Sequence, residues 1–291
     1  MLPADFDQLL KLALFEDVQT VGDLTCLALV PETAQGAAAV VARSAGILTG
    51  VPLIPQILSA VDPKLTWKPL LEDSTGLSCG TVIGTICGPA RGLLVAERPL
   101  LNFLGRLSGI ATLTRRYVDA VCSTKSQIYD TRKTTPGWRQ LEKYAVRCGG
   151  GANHRTGLYD AILIKDNHLA LGQQGNQPFS PTEAVVRAKE FLRQRFAEPP
   201  IVEIEVDTLD QLREVLPAEP DMVLLDNMTP TQIAEAVQVR NSVKPNVQLE
   251  ASGGITLETV RSVAETGVER ISVGALTHSA VSLDFGLDWS T

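Results

Sequence analysis

The chain of 291 residues has few aromatic side chains, no long apolar run and no closely spaced cysteine pair. Aromatic residues make up 5% of the sequence and the pI is near 5.1, and both values argue against a nucleic-acid-binding protein. The longest apolar stretches are interrupted by Arg43, Pro52 and Pro55, well short of the roughly 18 residues of a membrane helix. Asp5 and Asp7 near the start do not fit a secretory signal. A hydrophobic content of 44% with a net charge of −7 predicts a globular protein.

The five cysteines are odd in number and contain no CxxC pair. This pattern excludes a disulfide framework and the usual zinc site, and it favours a reducing compartment. We predict a cytoplasmic enzyme, with an organelle matrix as the alternative.

Positive charge is concentrated in the middle of an acidic chain. Residues 97–166 contain twelve Lys and Arg but six Asp and Glu, a net charge of +6, so the remainder carries −13. Such a basic segment indicates a site for a strongly anionic small molecule. For some of these basic residues, the alternative is that they lie on solvent-exposed helix faces and bind no ligand.

The sequence divides into two kinds of pattern. Residues 5–16 predict an amphipathic helix, residues 36–96 contain short strand-like runs that include LLVAE (93–97), and a helix follows through 97–122. The second pattern alternates apolar strands with helices, and its strand candidates are 127–131, 161–165, 201–206, 222–226, 247–252 and 270–275. We therefore predict a smaller N-terminal domain over 1–112 and a strand–helix domain over 113–275, with the tail 276–291 packing back on the first.

Repeated apolar strand–helix units predict a parallel sheet, here an incomplete α/β barrel of six to seven strands. A doubly wound sheet is the alternative. The barrel is favoured because polar residues follow every strand candidate, and a barrel directs all strand C-termini to one mouth. These residues are Thr131-Arg132-Lys133, Lys165-Asp166-Asn167-His168, Glu205 with Asp207, Asp226-Asn227, Ser252-Gly253-Gly254 and Gly274.

The predicted mouth has an anion cradle and a carboxylate pair. Ser252, Gly253 and Gly254 precede a predicted helix from Leu257 to Glu265 with Thr256 as its N-cap, and Gly274 ends the next strand. Glycines and a helix N-terminus allow backbone N–H groups to approach a phosphate, although the glycines could serve only as turns. Glu205 and Asp226 suit a divalent cation or ribose hydroxyls, with internal salt bridges as the alternative.

Cations are predicted around the rest of the mouth: Arg132, Lys133, Arg155 and Lys165. They would repel one another unless a ligand supplied negative charge. Among the three histidines, His154 is the best candidate for a ligand contact and His168 for an orienting residue. From the residues alone, the site fits a phosphorylated sugar with a polyanionic partner, and group transfer and isomerisation both stay open.

The string DTRKTTPGWRQLEKYAVRCGGGANHR (130–155), followed by ILIKDNH (162–168), resembles the quinolinate phosphoribosyltransferase family. Further matches in family order are EDVQTVGDLT (16–25), ERPLLNFLGRLSGIAT (97–112), VEIEV (202–206), LLDNM (224–228), EASGGIT (250–256) and ISVGALTHS (271–279). The resemblance implies an N-terminal α/β sandwich domain, an incomplete α/β barrel and at least a dimer. It also implies conversion of quinolinate and phosphoribosyl pyrophosphate to nicotinate mononucleotide, pyrophosphate and CO₂, with Mg²⁺, in NAD biosynthesis.

The resemblance further implies a role for each matched residue. Arg132, His154, Arg155 and Lys165 match residues that bind the two carboxylates of quinolinate, and Lys133 matches one near the pyrophosphate. Glu205 and Asp226 match residues near the ribose and the metal, directly or through water, so Lys133, Lys165, Glu205 and Asp226 are the implied catalytic set. Ser252, Gly253, Gly254 and Gly274 match the 5-phosphate cradle. Thr131 and Asn153, which precede Arg132 and His154, are adjacent contacts that the resemblance also implies. Arg98 matches an arginine that reaches the partner subunit's site. A related transferase for another ring, such as nicotinate, a barrel isomerase acting on a phosphosugar and a non-catalytic phosphosugar-binding barrel are the alternatives.

Overall fold

The computed structural model describes residues 6–174 and 177–289. In these ranges the helices are α1 (Phe6–Val18), α2 (Leu24–Leu29), α3 (Ile54–Val61), α4 (Ala90–Ala120), α5 (Arg139–Cys148), α6 (Asp166–Leu171), α7 (Pro181–Arg193), α8 (Leu209–Val215), α9 (Pro230–Val243), α10 (Val260–Ala264) and α11 (Ala275–His278). The strands are β1 (Gln35–Ala42), β2 (Gly46–Ile47), β3 (Thr66–Pro69), β4 (Gly76–Leu77), β5 (Val82–Pro89), β6 (Gln127–Tyr129), β7 (Ile162–Ile164), β8 (Gln173–Gln174), β9 (Gln177–Pro178), β10 (Val202–Val206), β11 (Met222–Asp226), β12 (Gln248–Ser252), β13 (Arg270–Ser272) and β14 (Phe285–Trp289). No helix in the described ranges is both long and apolar enough for a membrane span.

The chain divides into two compact units. The first comprises residues 1–115, 133–150 and 276–291, and the second comprises 116–132 and 151–275. A four-stranded antiparallel sheet in the order β14-β1-β5-β3 forms the frame of the first unit. The C-terminal strand β14 pairs with β1, from Ala38 opposite Trp289 to Ala42 opposite Phe285.

Helix α4 corrects one prediction. The run LLVAE (93–97) is helical rather than a strand, and α4 begins at Ala90 although Pro99 lies inside it. The side chains of Leu93, Ala96, Leu100 and Leu104 are buried and recur at helical spacing, so a strand would have exposed part of this set.

Two glycines of α4 allow the C-terminal tail to pack closely on the helix. A Cβ atom added at Gly105 would lie 2.7 Å from the carbonyl oxygen of Leu283, and one at Gly109 would lie 2.1 Å from that of Val281. The N–H of Leu283 donates to the carbonyl of Gly105 at 2.9 Å. We expect Gly109→Ala to destabilise the chain by about 1–3 kcal/mol, because backbone on both sides must move. Urea unfolding of this variant against the wild-type chain measures this, and an unchanged midpoint would contradict it.

Residues 133–150 belong to the first unit although they were predicted within the strand–helix domain. The difference is explained by contacts that helix α5 and its N-cap residue Trp138 make with other residues of the first unit. Arg106 donates to Glu142 at 2.7 Å, Tyr144 hydrogen-bonds to Asp73, and the Trp138 ring stacks on Phe103 with centroids 4.9 Å apart.

The second unit contains a six-stranded parallel sheet in the order β6-β13-β12-β11-β10-β7. From β7 to β13 the neighbours follow chain order, and the last strand returns to pair with the first. Such an order is that of a barrel with one open seam, whereas a doubly wound sheet reverses direction at its centre. At the seam, Ala152 forms a parallel bridge with Tyr129 of β6. The structure therefore confirms the predicted α/β fold with an incomplete barrel.

Candidate active site

The C-terminal ends of the six parallel strands place the predicted site residues of the second unit on one rim. In the strand register the partner of Glu205 is Leu224, and the partner of Leu224 on the next strand is Glu250. Asp226 is the register partner of Ser252. Thr131 and Arg132 follow β6, Lys165 follows β7, and Gly274 follows β13 by two residues. Side chains from distant parts of the sequence thus share one end of the sheet.

An ion pair joins two predicted catalytic residues. Lys165 donates from Nζ to the Oε2 atom of Glu205. The Glu205 side chain is largely buried and that of Lys165 is 42% exposed, so the ammonium can still meet a ligand. The N–H of Lys165 donates to Nδ1 of His168 at 2.9 Å, which agrees with an orienting role for His168.

Two arginines lie close enough to repel each other. Burial lowers the pKa of Arg155, and the positive charge of Arg132 lowers it further, while Glu203 opposes the change. The Nε atom of Arg132 is buried with no hydrogen-bond partner among the described residues. Arg155 has one such contact, from a guanidinium nitrogen to the carbonyl of Ala161 at 3.1 Å. A pair of half-buried, underpaired guanidinium groups is suited to binding an anion.

The segment that carries His154 and Arg155 is held by a buried carboxylate at the end of β6. Asp130, which has no exposed surface, accepts the N–H of His154 at 2.8 Å and the side-chain amide of Asn153 at 2.6 Å. The N–H of Arg155 in turn donates to Nδ1 of His154 at 2.8 Å. The position of the Arg155 main chain therefore depends on the His154 ring.

Two further carboxylates, Glu203 and Glu250, are fully buried next to the His154 ring. Nε2 of His154 lies 3.1 Å from Oε2 of Glu203 and 3.3 Å from Oε1 of Glu250. Arg270 donates to the other oxygen of Glu250 at 2.7 Å and lies over the ring of Tyr129. Burial raises the pKa of Glu203. Burial acts in the same direction on Glu250, but His154 and Arg270 together hold the pKa of Glu250 below its usual value.

The state of the His154 ring follows from its two neighbours. Burial lowers the pKa of His154, while Glu203 and Glu250 outweigh that effect and raise it to about 9. The carboxylates thus hold a proton on Nε2. A pKa near 9 would leave the ring charged at neutral pH, but an imidazolium has no lone pair at Nδ1, and the Arg155 N–H points to that atom at 2.8 Å. The hydrogen-bond geometry therefore assigns the neutral ring with its proton on Nε2, against the charge that the pKa implies. This differs from the expectation that the ring donates to a ligand anion.

The same three residues have the spacing of metal ligands. The donor atoms of His154, Glu203 and Glu250 all lie within 4.8 Å of one another. A protonated Nε2 cannot coordinate a metal, and Mg²⁺ prefers oxygen ligands together with phosphate and water. The carboxylates at the rim, Glu205 and Asp226, fit Mg²⁺ better because they end adjacent strands and one of them, Asp226, is partly exposed.

The loop after β12 approaches the loop after β11 very closely. Gly253 has φ +90° and Gly254 has φ +61°, both in the left-handed region. A Cβ atom at Gly253 would lie 2.1 Å from Oδ1 and 2.9 Å from the backbone nitrogen of Asn227. The side-chain amide of Asn227 donates to Asp226 at 2.7 Å. Glycine is therefore required at 253, and the loop is coupled to the rim carboxylate.

We expect Gly253→Ala to reduce affinity for a phosphorylated substrate by about tenfold or more, because the clash displaces Asn227 and opens the loop. Gly267→Ala is the matched control, since Gly267 has φ +88° and its nearest side-chain atom is 3.9 Å from the added carbon. Substrate titration of both variants measures the effect. Equal losses in both would assign it to backbone strain alone.

The helix after this loop corrects a second prediction. Helix α10 spans Val260–Ala264, and its N-cap is Thr259 rather than Thr256. The hydroxyl of Thr259 accepts the N–H of Thr256 at 3.0 Å, which forms a turn in place of the first predicted helical turn. Backbone N–H groups of the Ser252–Gly254 loop, more than a helix dipole, are thus the groups available to a phosphate.

Arg98 and Lys133 belong to the first unit. Arg98 is exposed on α4 and lines a cavity of about 550 Å³ together with Asn102, Trp138 and Asp284. Lys133 is exposed, and its carbonyl accepts a hydrogen bond from the Thr277 hydroxyl at 2.8 Å.

Three residues of this region were not predicted from the sequence: Asp130, Glu203 and Glu250. Glu203 and Glu250 precede Glu205 and Ser252 by two residues, so they point to the same face of their strands. That alternation was the signal that could have identified them.

Comparisons with known proteins agree along the whole chain. The family model described as the quinolinate phosphoribosyl transferase C-terminal domain matches residues 110–288, and the N-terminal domain model matches residues 23–108. The nicotinate-nucleotide pyrophosphorylase [carboxylating] of Mycobacterium leprae is 44% identical over 96% of this chain and 95% of its own length. A probable enzyme of the same name from Bacillus subtilis is 42% identical over 97% of this chain and 92% of its own.

Solved structures give the same result. The nicotinate-nucleotide pyrophosphorylase from Francisella tularensis superposes with a TM-score of 0.90 at 35% identity, covering 100% of this chain and 98% of that one. Both the sequence and the fold therefore place this chain in the quinolinate phosphoribosyltransferase family.

Proposed function

We propose that the chain is a quinolinate phosphoribosyltransferase of NAD biosynthesis. The enzyme would convert quinolinate and phosphoribosyl pyrophosphate to nicotinate mononucleotide, pyrophosphate and CO₂. The observation that carries the proposal is the rim of the second unit, where two underpaired arginines, the Lys165–Glu205 ion pair and the Gly253 loop follow the ends of a single parallel sheet.

The cations supply the ring-binding half of the mechanism. Arg132, Arg155 and Lys165 bind the two carboxylates of quinolinate, and the dianion relieves the repulsion among them. Lys165 exchanges part of its contact with Glu205 for the ligand. A monocarboxylate ring would leave a buried guanidinium unpaired, which favours quinolinate over nicotinate.

The loop and the acids supply the sugar-binding half. Backbone N–H groups of Ser252, Gly253 and Gly254, with Gly274, bind the 5-phosphate. Thr131 directly precedes Arg132 of the carboxylate-binding set in sequence. Glu205 and Asp226 favour positive charge developing at the anomeric carbon, while Lys133 stabilises the departing pyrophosphate. Glu205 and Asp226 would also hold Mg²⁺ together with substrate oxygens, and that ion neutralises pyrophosphate charge when bound.

The bond changes follow from this arrangement. The pyridine nitrogen attacks the anomeric carbon as the bond to pyrophosphate breaks. The nitrogen then bears positive charge, so the neighbouring carbon–carboxylate bond can break and release CO₂. The electron pair stays on the ring carbon, which takes up a proton from water. No covalent bond to the enzyme forms, and positioning carries the catalysis.

We further propose that the enzyme is a homodimer or a larger homo-oligomer in which Arg98 acts at the neighbouring subunit's site. Apolar side chains that a monomer exposes support this arrangement. They lie on α1, α2 and the connection between them, and the most exposed are Leu12, Phe15, Val21, Leu24 and Leu29.

The cytoplasmic location stays a prediction, with which five free thiols agree.

The purified chain tests the proposed function directly. Incubation with quinolinate, phosphoribosyl pyrophosphate and Mg²⁺ is expected to yield nicotinate mononucleotide and pyrophosphate in equal amounts. A chelator should abolish the reaction, and nicotinate should not replace quinolinate. Turnover of nicotinate alone would contradict the proposal and indicate a transferase for another ring.

A further inference from the structure

The site has a buried side that the proposed mechanism does not use. Glu203 and Glu250 have no exposed surface, and the His154 side chain is 8% exposed. Both oxygens of Glu203 and one of Glu250 lack an aligned hydrogen bond among the described residues. Buried carboxylates without well-aligned hydrogen bonds are costly, so their presence next to the His154 ring calls for a role.

The ring of His154 has protein groups at both nitrogens. Nδ1 accepts the N–H of Arg155 at 2.8 Å, and Nε2 faces the two carboxylates at 3.1 and 3.3 Å. A ligand carboxylate at the rim would have to displace one of these contacts to reach a ring nitrogen. The ring is therefore placed to orient its neighbours.

The neighbour that depends most on the ring is Arg155. Its N–H is fixed by Nδ1 of His154, and the N–H of His154 is fixed by Asp130 at 2.8 Å. One nitrogen of the Arg155 guanidinium donates a hydrogen bond to the carbonyl of Ala161 at 3.1 Å. A rotation of the ring would move the main chain from which this guanidinium extends.

We propose that Glu203 and Glu250 are positioning residues, which orient the His154 ring so that it holds the Arg155 main chain in place for a ligand carboxylate. The inference rests on the proposed quinolinate site, since it concerns how one arginine of that site is aimed. It assigns His154 to positioning, in place of direct contact with the ligand.

A double-mutant cycle tests this assignment. Glu203→Gln, Glu250→Gln and His154→Asn are each expected to raise the KM for quinolinate about tenfold, because the first two let the ring turn and the third removes the ring. The KM for phosphoribosyl pyrophosphate and kcat should stay within about twofold, since the sugar-binding groups are untouched. The double variant His154→Asn/Glu250→Gln should bind no more weakly than His154→Asn alone, because the acid acts only through the ring.

Glu269→Gln is the matched control. Glu269 lies in the same unit, pairs with Arg240 at 2.6 Å and accepts the Leu249 N–H at 3.0 Å, whereas the carboxylates that pair with His154 are Glu203 and Glu250. This variant should keep the wild-type KM for quinolinate. Multiplicative losses in the double variant, or normal quinolinate binding in both glutamate variants, would overturn the inference.

A measurement on the unmodified chain does not depend on the variants folding. The sequence has three histidines, so their ¹⁵N-labelled rings can be resolved by NMR. We expect His154 to be protonated at Nε2 and unprotonated at Nδ1, with both resonances unchanged when quinolinate saturates the site. Movement of a His154 nitrogen resonance to that of a hydrogen bond with the ligand would overturn the inference alone. A wild-type chain that does not bind quinolinate would overturn the proposed function as well.

Discussion

Arg155→Ala is expected to weaken quinolinate binding by about 2–5 kcal/mol, the usual cost of removing one partner from a desolvated charge pair. That cost corresponds to a rise in the dissociation constant of roughly 30-fold to several thousand-fold. The reason is that the guanidinium is partly buried beside Arg132 and donates one hydrogen bond among the described residues, to the Ala161 carbonyl at 3.1 Å. The ligand is then left with one uncompensated carboxylate in a largely buried site.

Two controls make the Arg155 result specific. Arg155→Lys keeps the charge but loses bidentate geometry, so an intermediate loss is expected. Arg213→Ala removes an exposed arginine of the same unit, which pairs with Asp210 at 2.8 Å and Glu235 at 2.9 Å, and should bind quinolinate normally. Calorimetric titration with quinolinate gives the three constants. Wild-type affinity in Arg155→Ala would contradict the assignment.

Mixing two inactive variants, Arg98→Ala and Lys165→Ala, is expected to restore about a quarter of wild-type activity. Half of the randomly reassorted dimers are hybrids, and each hybrid contains one site with both residues intact if Arg98 acts across the interface. Each variant alone is expected to be inactive, because every one of its sites lacks a cation.

The mixing experiment needs proof that subunits exchange. Native mass spectrometry of one isotopically labelled variant with the other unlabelled provides that proof, and a mixture of Arg98→Ala with Arg98→Ala/Lys165→Ala is the negative control. Hybrids that form without any recovered activity would show that Arg98 does not act at a neighbouring subunit's site.

The barrel was predictable because its strands are short apolar runs covered on both faces. The prediction of a strand over 222–226 coincides with β11 (Met222–Asp226), and polar residues directly after each strand indicated which end of the sheet carries the site. The same reasoning failed at LLVAE (93–97), which lies inside α4, where apolar residues at helical spacing continue past Pro99.

The buried half of the site was not predictable by attention to strand ends. Glu203 and Glu250 lie within apolar strands, and strand-end reasoning overlooks such positions. The orientation of the His154 ring depends on three segments at once: Asp130 after β6, Glu203 in β10 and Glu250 in β12. Sequence patterns identify which residues are present, but a ring orientation fixed by contacts among distant strands requires the folded structure.

The fate of one carboxylate tests the central claim most directly. Quinolinate labelled with ¹³C in the carboxylate next to the ring nitrogen is incubated with the chain, phosphoribosyl pyrophosphate and Mg²⁺, and the label is followed. The proposed mechanism predicts one labelled CO₂ for each nicotinate mononucleotide, because the positive ring nitrogen activates only the adjacent carboxylate. Label retained in a nucleotide product, or CO₂ released without phosphoribosyl transfer, would contradict it.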